Sequence, residues 1–293
     1  MTTIMPAPST RIVPTPDAID VARRRHWNSM ARQWALLGPP LRPCAADIAV
    51  MEHAVQAEGQ RCGERPLRAL LFGVTPEIAD MAWPARAELL AVDRSAEMLH
   101  AVWPGDRPGR RAVCGNWIET LAHAGPRDVV IGDGNLTTQV FPDEWERLAR
   151  TAFEILSDHG VMIVRCRILP DVPESPADVF RELASRRIGS FHAFKLRLAM
   201  ALQPAPGAGV RLDDVWRAWQ GAGIDEQRLH AETGWPVDVI RTIDLYRQKT
   251  LRLTFPTREQ TCAVFEDGFR LESSVEGPYE LGDCNPILVC RRR

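Results

Sequence analysis

The sequence predicts an α/β protein: a doubly wound, mostly parallel seven-stranded sheet with an N-terminal helical lid and a helical insertion after the fifth strand. Three observations carry that reading. Short apolar runs alternate with helical patterns from residue 66 to residue 167, the rhythm of a doubly wound sheet. The runs are apolar throughout, as expected of parallel strands covered on both faces. From residue 169 the pattern becomes mainly helical for roughly 75 residues, far longer than an ordinary connection, before two closing strands.

The first dozen residues read as a loose tail. A helix follows at 17–37, started by Pro16 and Asp17 and stopped by Gly38-Pro39-Pro40; it carries Trp27 and Trp34 on one face. A second helix covers 45–58. Strands are expected at 68–73, 88–93, 111–115, 128–132 and 161–165, with helices at 76–83, 95–102 and 142–157. Pro170, Pro173 and Pro176 mark a linker into helices at 177–186, 190–202, 212–220 and 225–246. A helix at 257–265 and strands at 269–273 and 287–290 complete the sheet. This divides the chain into a tail and lid (1–65), a binding core (66–170), a helical insertion (171–250) and a C-terminal completion of the core (251–293).

Composition narrows the function. The 293 residues carry 36 Lys and Arg against 38 Asp and Glu, a net charge of −2. Such a balance gives no support to a nucleic-acid binder held by its overall field. No apolar run reaches the 18 to 20 residues, roughly, that span a bilayer. The seven cysteines show no C-x-x-C spacing, and Cys114, Cys166 and Cys290 sit in or beside apolar runs as small hydrophobes. A disulfide framework is not expected, and a reducing cytoplasm fits. The seven scattered histidines form no metal-ligand spacing.

The first strand ends at Gly73, where the backbone can turn tightly and approach a ligand. Thr75-Pro76-Glu77 reads as a helix start: an N-cap, proline at the first position and an acid in the first turn. The second strand ends at Asp93, twenty residues after Gly73, a spacing at which an acid accepts hydrogen bonds from two ribose hydroxyls. Read singly, Gly73 is a turn glycine and Asp93 a cap on the following helix; read together, they favour a nucleotide site.

On these segments the chain resembles the class I S-adenosylmethionine-dependent methyltransferases. The Gly73 segment looks like their first motif and residues 91–98 like their second. Cys114-Gly115-Asn116-Trp117 is similar to the stretch flanking the adenine, and the run ending in Asp133-Gly134-Asn135 to the fourth motif. The resemblance covers roughly 66–167 and 253–292. It implies S-adenosylmethionine as cofactor, held by Gly73, Thr75, Pro76, Asp93, Arg94, Met98, Asn116, Trp117, Asp133, Gly134 and Asn135. Asp93 would hold the ribose, Met98 would cover the adenine, and Asn116 and Trp117 would border it. Asp133 has three readings: a ligand of the methionine amino group, a positioner of the substrate nucleophile, and a turn former in Asp-Gly-Asn. The chain departs from the family at Thr75 and Glu77, which stand where later glycines would be, and at Leu71 and Phe72, where an acid would precede Gly73.

Outside the core, Trp27, Trp34 and Arg42 either contact ligand or pack the lid. In the insertion, Phe191 and Lys195 are the expected acceptor contacts, and His192 is the candidate catalytic base. The expected function is methyl transfer to a small-molecule acceptor, with no metal, nucleic-acid or membrane partner; the sequence leaves the acceptor and the oligomeric state open. One rival is a methyltransferase-like binding subunit without catalysis. Another, a nicotinamide-dependent oxidoreductase, fits poorly with the missing glycines and the polar segment after the fourth strand.

Overall fold

A computed structural model describes residues 15–293, apart from the side chains of residues 121 and 122. The expected tail lies outside the described residues. Two helices come first, α1 (Pro16–Ala31) and α2 (Ala45–Cys62). The core then runs β1 (Arg68–Phe72), α3 (Pro76–Ala79), β2 (Glu88–Asp93), α4 (Ala96–Ala101), β3 (Arg110–Cys114), α5 (Trp117–Ala124), β4 (Arg127–Asp133), α6 (Asp143–Ile155) and β5 (Leu156–Arg165). The insertion carries α7 (Pro176–Ala184), α8 (Phe191–Leu202), β6 (Val210–Arg211), α9 (Leu212–Gly221), α10 (Glu226–Thr233), α11 (Val237–Ile240) and β7 (Arg252–Leu253). The chain closes with α12 (Arg258–Glu266), β8 (Phe269–Val275) and β9 (Ile287–Arg292).

Seven strands form one sheet in the order β3-β2-β1-β4-β5-β9-β8. The first five are parallel; β9 runs antiparallel to β5, and β8 antiparallel to β9. The chain builds outward from β1 to β3 and then returns to place β4 on the other side of β1. At that switch the connections leave β1 and β4 in opposite directions, which opens a crevice at their carboxyl ends.

Alternation along each strand supplies two core faces. Leu70, Phe72, Val92 and Val130 point to the face covered by Trp145 and Leu148 of the amphipathic α6. Ala69, Leu71, Ala91 and Ile131 point to the face covered by Met51 and Val55 of α2. The insertion has its own core around Phe191, Phe194 and Trp219. The Phe191 ring stacks on Phe194 at 5.5 Å between centroids and meets Trp219 edge-on at 5.3 Å.

Several sequence expectations are corrected. The first helix ends at Ala31, and Trp34–Leu36 is a separate 3₁₀ turn, so Trp27 and Trp34 do not share one helix face. The helix expected at 225–246 is three pieces. Gly234, with φ +76°, caps α10 in the left-handed region, and Pro236 starts the next turn. Helix α5 was not expected, nor was the pairing of β6 with β7. Cys114 is exposed rather than core, because it ends an edge strand.

Candidate functional site

The carboxyl ends of β1, β2 and β4 open into one cleft, walled on one side by the strand ends and on the other by the N-terminal segment and the insertion. Gly73 has φ +86°, and its N–H donates to the Val92 carbonyl at 2.8 Å. This left-handed turn brings the chain beside the next strand end: a Cβ on Gly73 would lie 3.6 Å from Asp93 Oδ2. Asp93 Oδ1 accepts the Ser95 N–H at 2.8 Å, and the Ser95 hydroxyl caps α4 by accepting the Met98 N–H at 3.0 Å. Burial pushes the Asp93 carboxyl up to about 6, against the pull of the Ser95 N–H and Arg94. The carboxyl stands in a wall it shares with Gly73, with Oδ2 on the Gly73 side.

Met98, Arg94 and Trp117 continue this wall. Trp117 is anchored by an Nε1–H bond to the Val92 carbonyl at 2.7 Å. The Arg94 guanidinium lies over the Trp117 ring and pairs with Asp20 of α1. Asn116 caps α5 by accepting the Ile118 N–H at 3.0 Å. It lines an adjoining pocket that shares Arg23, Arg94, Trp117 and Gln139 with the main cleft. Thr75 reaches the cleft, whereas its hydroxyl does not cap α3; Pro76 and Gly134 are not on the wall.

At the end of β4, Asp133 lines the cleft, and its Oδ1 accepts from Arg165 Nε at 2.5 Å. Arg165 also donates to Tyr279 Oη at 2.9 Å and faces Asp47 at 3.5 Å. Asn135 follows, buried, with neither end of its amide hydrogen-bonded.

The N-terminal segment roofs the cleft with Arg23, His26, Trp27, Met30 and Trp34, and the insertion supplies Leu196, Tyr246 and Leu253. Arg23 ties the roof down: its Nε–H donates to the Thr138 carbonyl at 2.8 Å, and its Nη1 meets Glu144 at 3.1 Å. Lys249 Nζ reaches Ser29 at 3.1 Å from the other side.

Four expected ligand contacts stand back from this wall. Arg42 braces the roof: its Nε–H donates to Glu77 at 2.7 Å, its Nη1–H to the Trp34 carbonyl at 3.0 Å, and it lies over the Trp34 ring. Phe191 is in the insertion core. Lys195 is buried behind Tyr246, where its ammonium donates to Thr242 Oγ1 at 2.7 Å and lies over the Tyr246 and Phe191 rings. Burial holds it down at about 7. His192 bonds through Nε2 to the Leu36 carbonyl at 2.9 Å, and burial holds it at about 4.

The structure brings other residues to the cleft that sequence reasoning missed: His26, Arg167, Tyr246 and the turn Thr137 to Gln139. His26 is buried beside Trp27 and Tyr246, with Nδ1 unpartnered. Burial, helped by Lys249 and Lys195, holds its imidazole at about 3, so it is neutral.

No family model matches the chain, and no curated protein matches it. Solved structures do. The chain is similar to a structure from Rhodobacter sphaeroides described as putative Zn-dependent alcohol dehydrogenases, at 14% identity and TM-score 0.55, covering 93% of this chain and 99% of that one. It is also similar to the 1,6-didemethyltoxoflavin-N1-methyltransferase of Burkholderia thailandensis, solved with bound 1,6-didemethyltoxoflavin and S-adenosylhomocysteine, at 12% identity and TM-score 0.51, covering 98% of this chain and 94% of that one. At such identities the likeness is one of fold, and the fold is that of the class I methyltransferases. Among the described residues, no three His, Cys, Asp or Glu side chains are grouped to hold a metal, and no helix is long and apolar enough to cross a membrane.

Proposed function

We propose that the protein binds S-adenosylmethionine and transfers its methyl group to a small-molecule acceptor. One observation carries the reading: Gly73 and Asp93 face each other at the topological switch, the first with a left-handed backbone and the second with a buried carboxylate that forms no ion pair among the described residues and turns Oδ2 toward Gly73. A ribose diol supplies the hydrogen bonds that this carboxylate wants. Met98, Arg94 and Trp117 then flank the base. When bound, S-adenosylmethionine provides an electrophilic methyl on its sulfonium, and this chain has to orient the acceptor and keep water out.

The N-terminal segment acts as the lid in this reading, and the insertion supplies the acceptor side through Tyr246, Leu196 and Leu253. His26, neutral and with a ring nitrogen unpartnered, takes the place that the sequence assigned to His192. It is suited to accept a hydrogen bond from an acceptor O–H or N–H. The 1,6-didemethyltoxoflavin bound with S-adenosylhomocysteine in the Burkholderia structure agrees with a small-molecule acceptor. Calorimetry with S-adenosylhomocysteine tests the reading: binding to the wild type and its loss in Asp93→Ala are expected, and a folded protein that does not bind this nucleoside overturns it.

A further inference from the structure

One cation in the cleft has no direct ion pair among the described residues; Asp133, the anion whose field it feels, is paired with Arg165. Arg167 follows β5 and is only 9% exposed, and it lines the cleft. Its Nη2–H donates to the Leu41 carbonyl at 2.9 Å. Its Nη1 contacts, to the Gly134 carbonyl and Thr137 Oγ1, are each 3.4 Å, at the outer limit of a hydrogen bond. Nε has no partner. Asp133 and Asp47 both pair with Arg165, and among the described residues Arg167 forms no ion pair. A buried guanidinium without an anion is costly to keep.

The local backbone is shaped around this side chain. Gly134 has φ +57°, and a Cβ there would overlap the Arg167 guanidinium. Beside it, the Asn135 amide is buried and unpartnered at both ends. Tyr246, Leu196, Leu253 and, from the roof, Trp27 add apolar surface to the acceptor side. A charged fork set in such walls matches a flat apolar body bearing a carboxylate.

We propose that the acceptor is an aromatic carboxylic acid whose carboxylate sits on Arg167 while its ring lies against Tyr246 and Leu196. The carboxylate completes the ion pair that the protein leaves open, and Asn135 reads a neighbouring polar substituent. This rests on the methyl-transfer reading for the word acceptor, whereas the anion site itself does not. A carboxylate could also come from the methionine end of the cofactor, and the test separates the two sources.

The test titrates the wild type with 1-naphthoate and its neutral isostere 1-naphthamide, with and without S-adenosylhomocysteine. The acid is expected to bind at least about tenfold more tightly than the amide, the scale of one charge-assisted hydrogen-bond pair. Arg167→Gln should abolish that preference while leaving S-adenosylhomocysteine affinity within about threefold. No preference for the acid in the wild type, including no binding of either compound, overturns the proposal, and this arm does not depend on the variant folding. It is equally overturned if Arg167→Gln weakens S-adenosylhomocysteine but not 5′-methylthioadenosine, which places the cofactor's carboxylate on Arg167. If S-adenosylhomocysteine fails to bind while the acid preference persists, the methyl-transfer reading falls and the anion site stands.

Discussion

The wall made by the strand ends and the wall made by the roof and insertion face each other across one cleft, and they are assembled by different means. Gly73, Asp93 and Met98 sit within 26 residues of one another, each at the end of a strand or the start of the following helix. Their positions follow from the register of β1 with β2, in which Phe72 pairs with Val92. The opposing wall joins segments far apart in sequence: Arg23 with Thr138, Arg167 with Leu41, His192 with Leu36. The first wall is thus tied to a scaffold that the sheet cannot lose without unfolding. The opposing wall can change residue by residue beside a separate core.

That contrast can be broken at several points. The largest effect is expected in the insertion core, where Phe191→Ala should cost about 3–5 kcal/mol of stability by leaving a cavity among Phe194, Trp219 and Trp235. Chemical denaturation should show it; a variant of wild-type stability with impaired acceptor use would return Phe191 to the cleft wall. Gly73→Val comes next. A β-branched residue at φ +86° adds roughly 1–3 kcal/mol of strain and crowds the space before Asp93, so affinity for S-adenosylhomocysteine should drop by more than the melting temperature suggests. Wild-type affinity would reduce Gly73 to a permissive strand end. For Asp93→Ala, a loss of about 1.5–3 kcal/mol in nucleoside binding is expected by calorimetry.

The raised Asp93 carboxyl gives opposite pH trends for binding and folding. Its folded value, about 6, lies above its ordinary value of 3.8 because burial disfavours the charge. Between those two values the folded state holds more protons than the unfolded one, so this group's contribution to stability falls as pH rises through that window. Ribose hydroxyls donate to the charged form, so nucleoside affinity should fall about tenfold from pH 7 to pH 5. Asp93→Asn should flatten that dependence, and an unchanged slope in the variant would assign it to another group. The smallest effect is expected at the roof: Asp20→Asn removes partly exposed pairs with Arg94 and Arg23 and should change stability by less than about 1 kcal/mol. A larger loss would show that the roof is held as firmly as the sheet.

The sheet was legible because buried parallel strands write themselves as apolar runs, and β2 was placed at its observed ends, Glu88 and Asp93. Helix α5 was overlooked although its start carries a cap signal, Asn116 with Glu119 three residues on. The break at Gly234 and Pro236 was also open to reading. The wall opposite the strand ends was not. Nothing near Arg167 in sequence says that its neighbours will be Leu41 and Thr137, and nothing near His26 says that it will meet Tyr246. The aromatic and basic character of Phe191, His192 and Lys195 suggests a lined pocket, yet α8 buries all three against aromatic rings, Thr242 and the N-terminal turn.

The placement of Asp93 also carries an expected outcome for the proposed nucleoside binding: proton release. At pH 6 about half of the free molecules hold a proton on this carboxyl, and the hydroxyls of an arriving ribose displace it. The released proton passes to the buffer, so the heat of nucleoside binding near that pH should scale with the ionisation enthalpy of the buffer, while at pH 8 it should not. The proposed ribose contact at Asp93 would thereby leave a calorimetric signature of its own, independent of any methyl transfer.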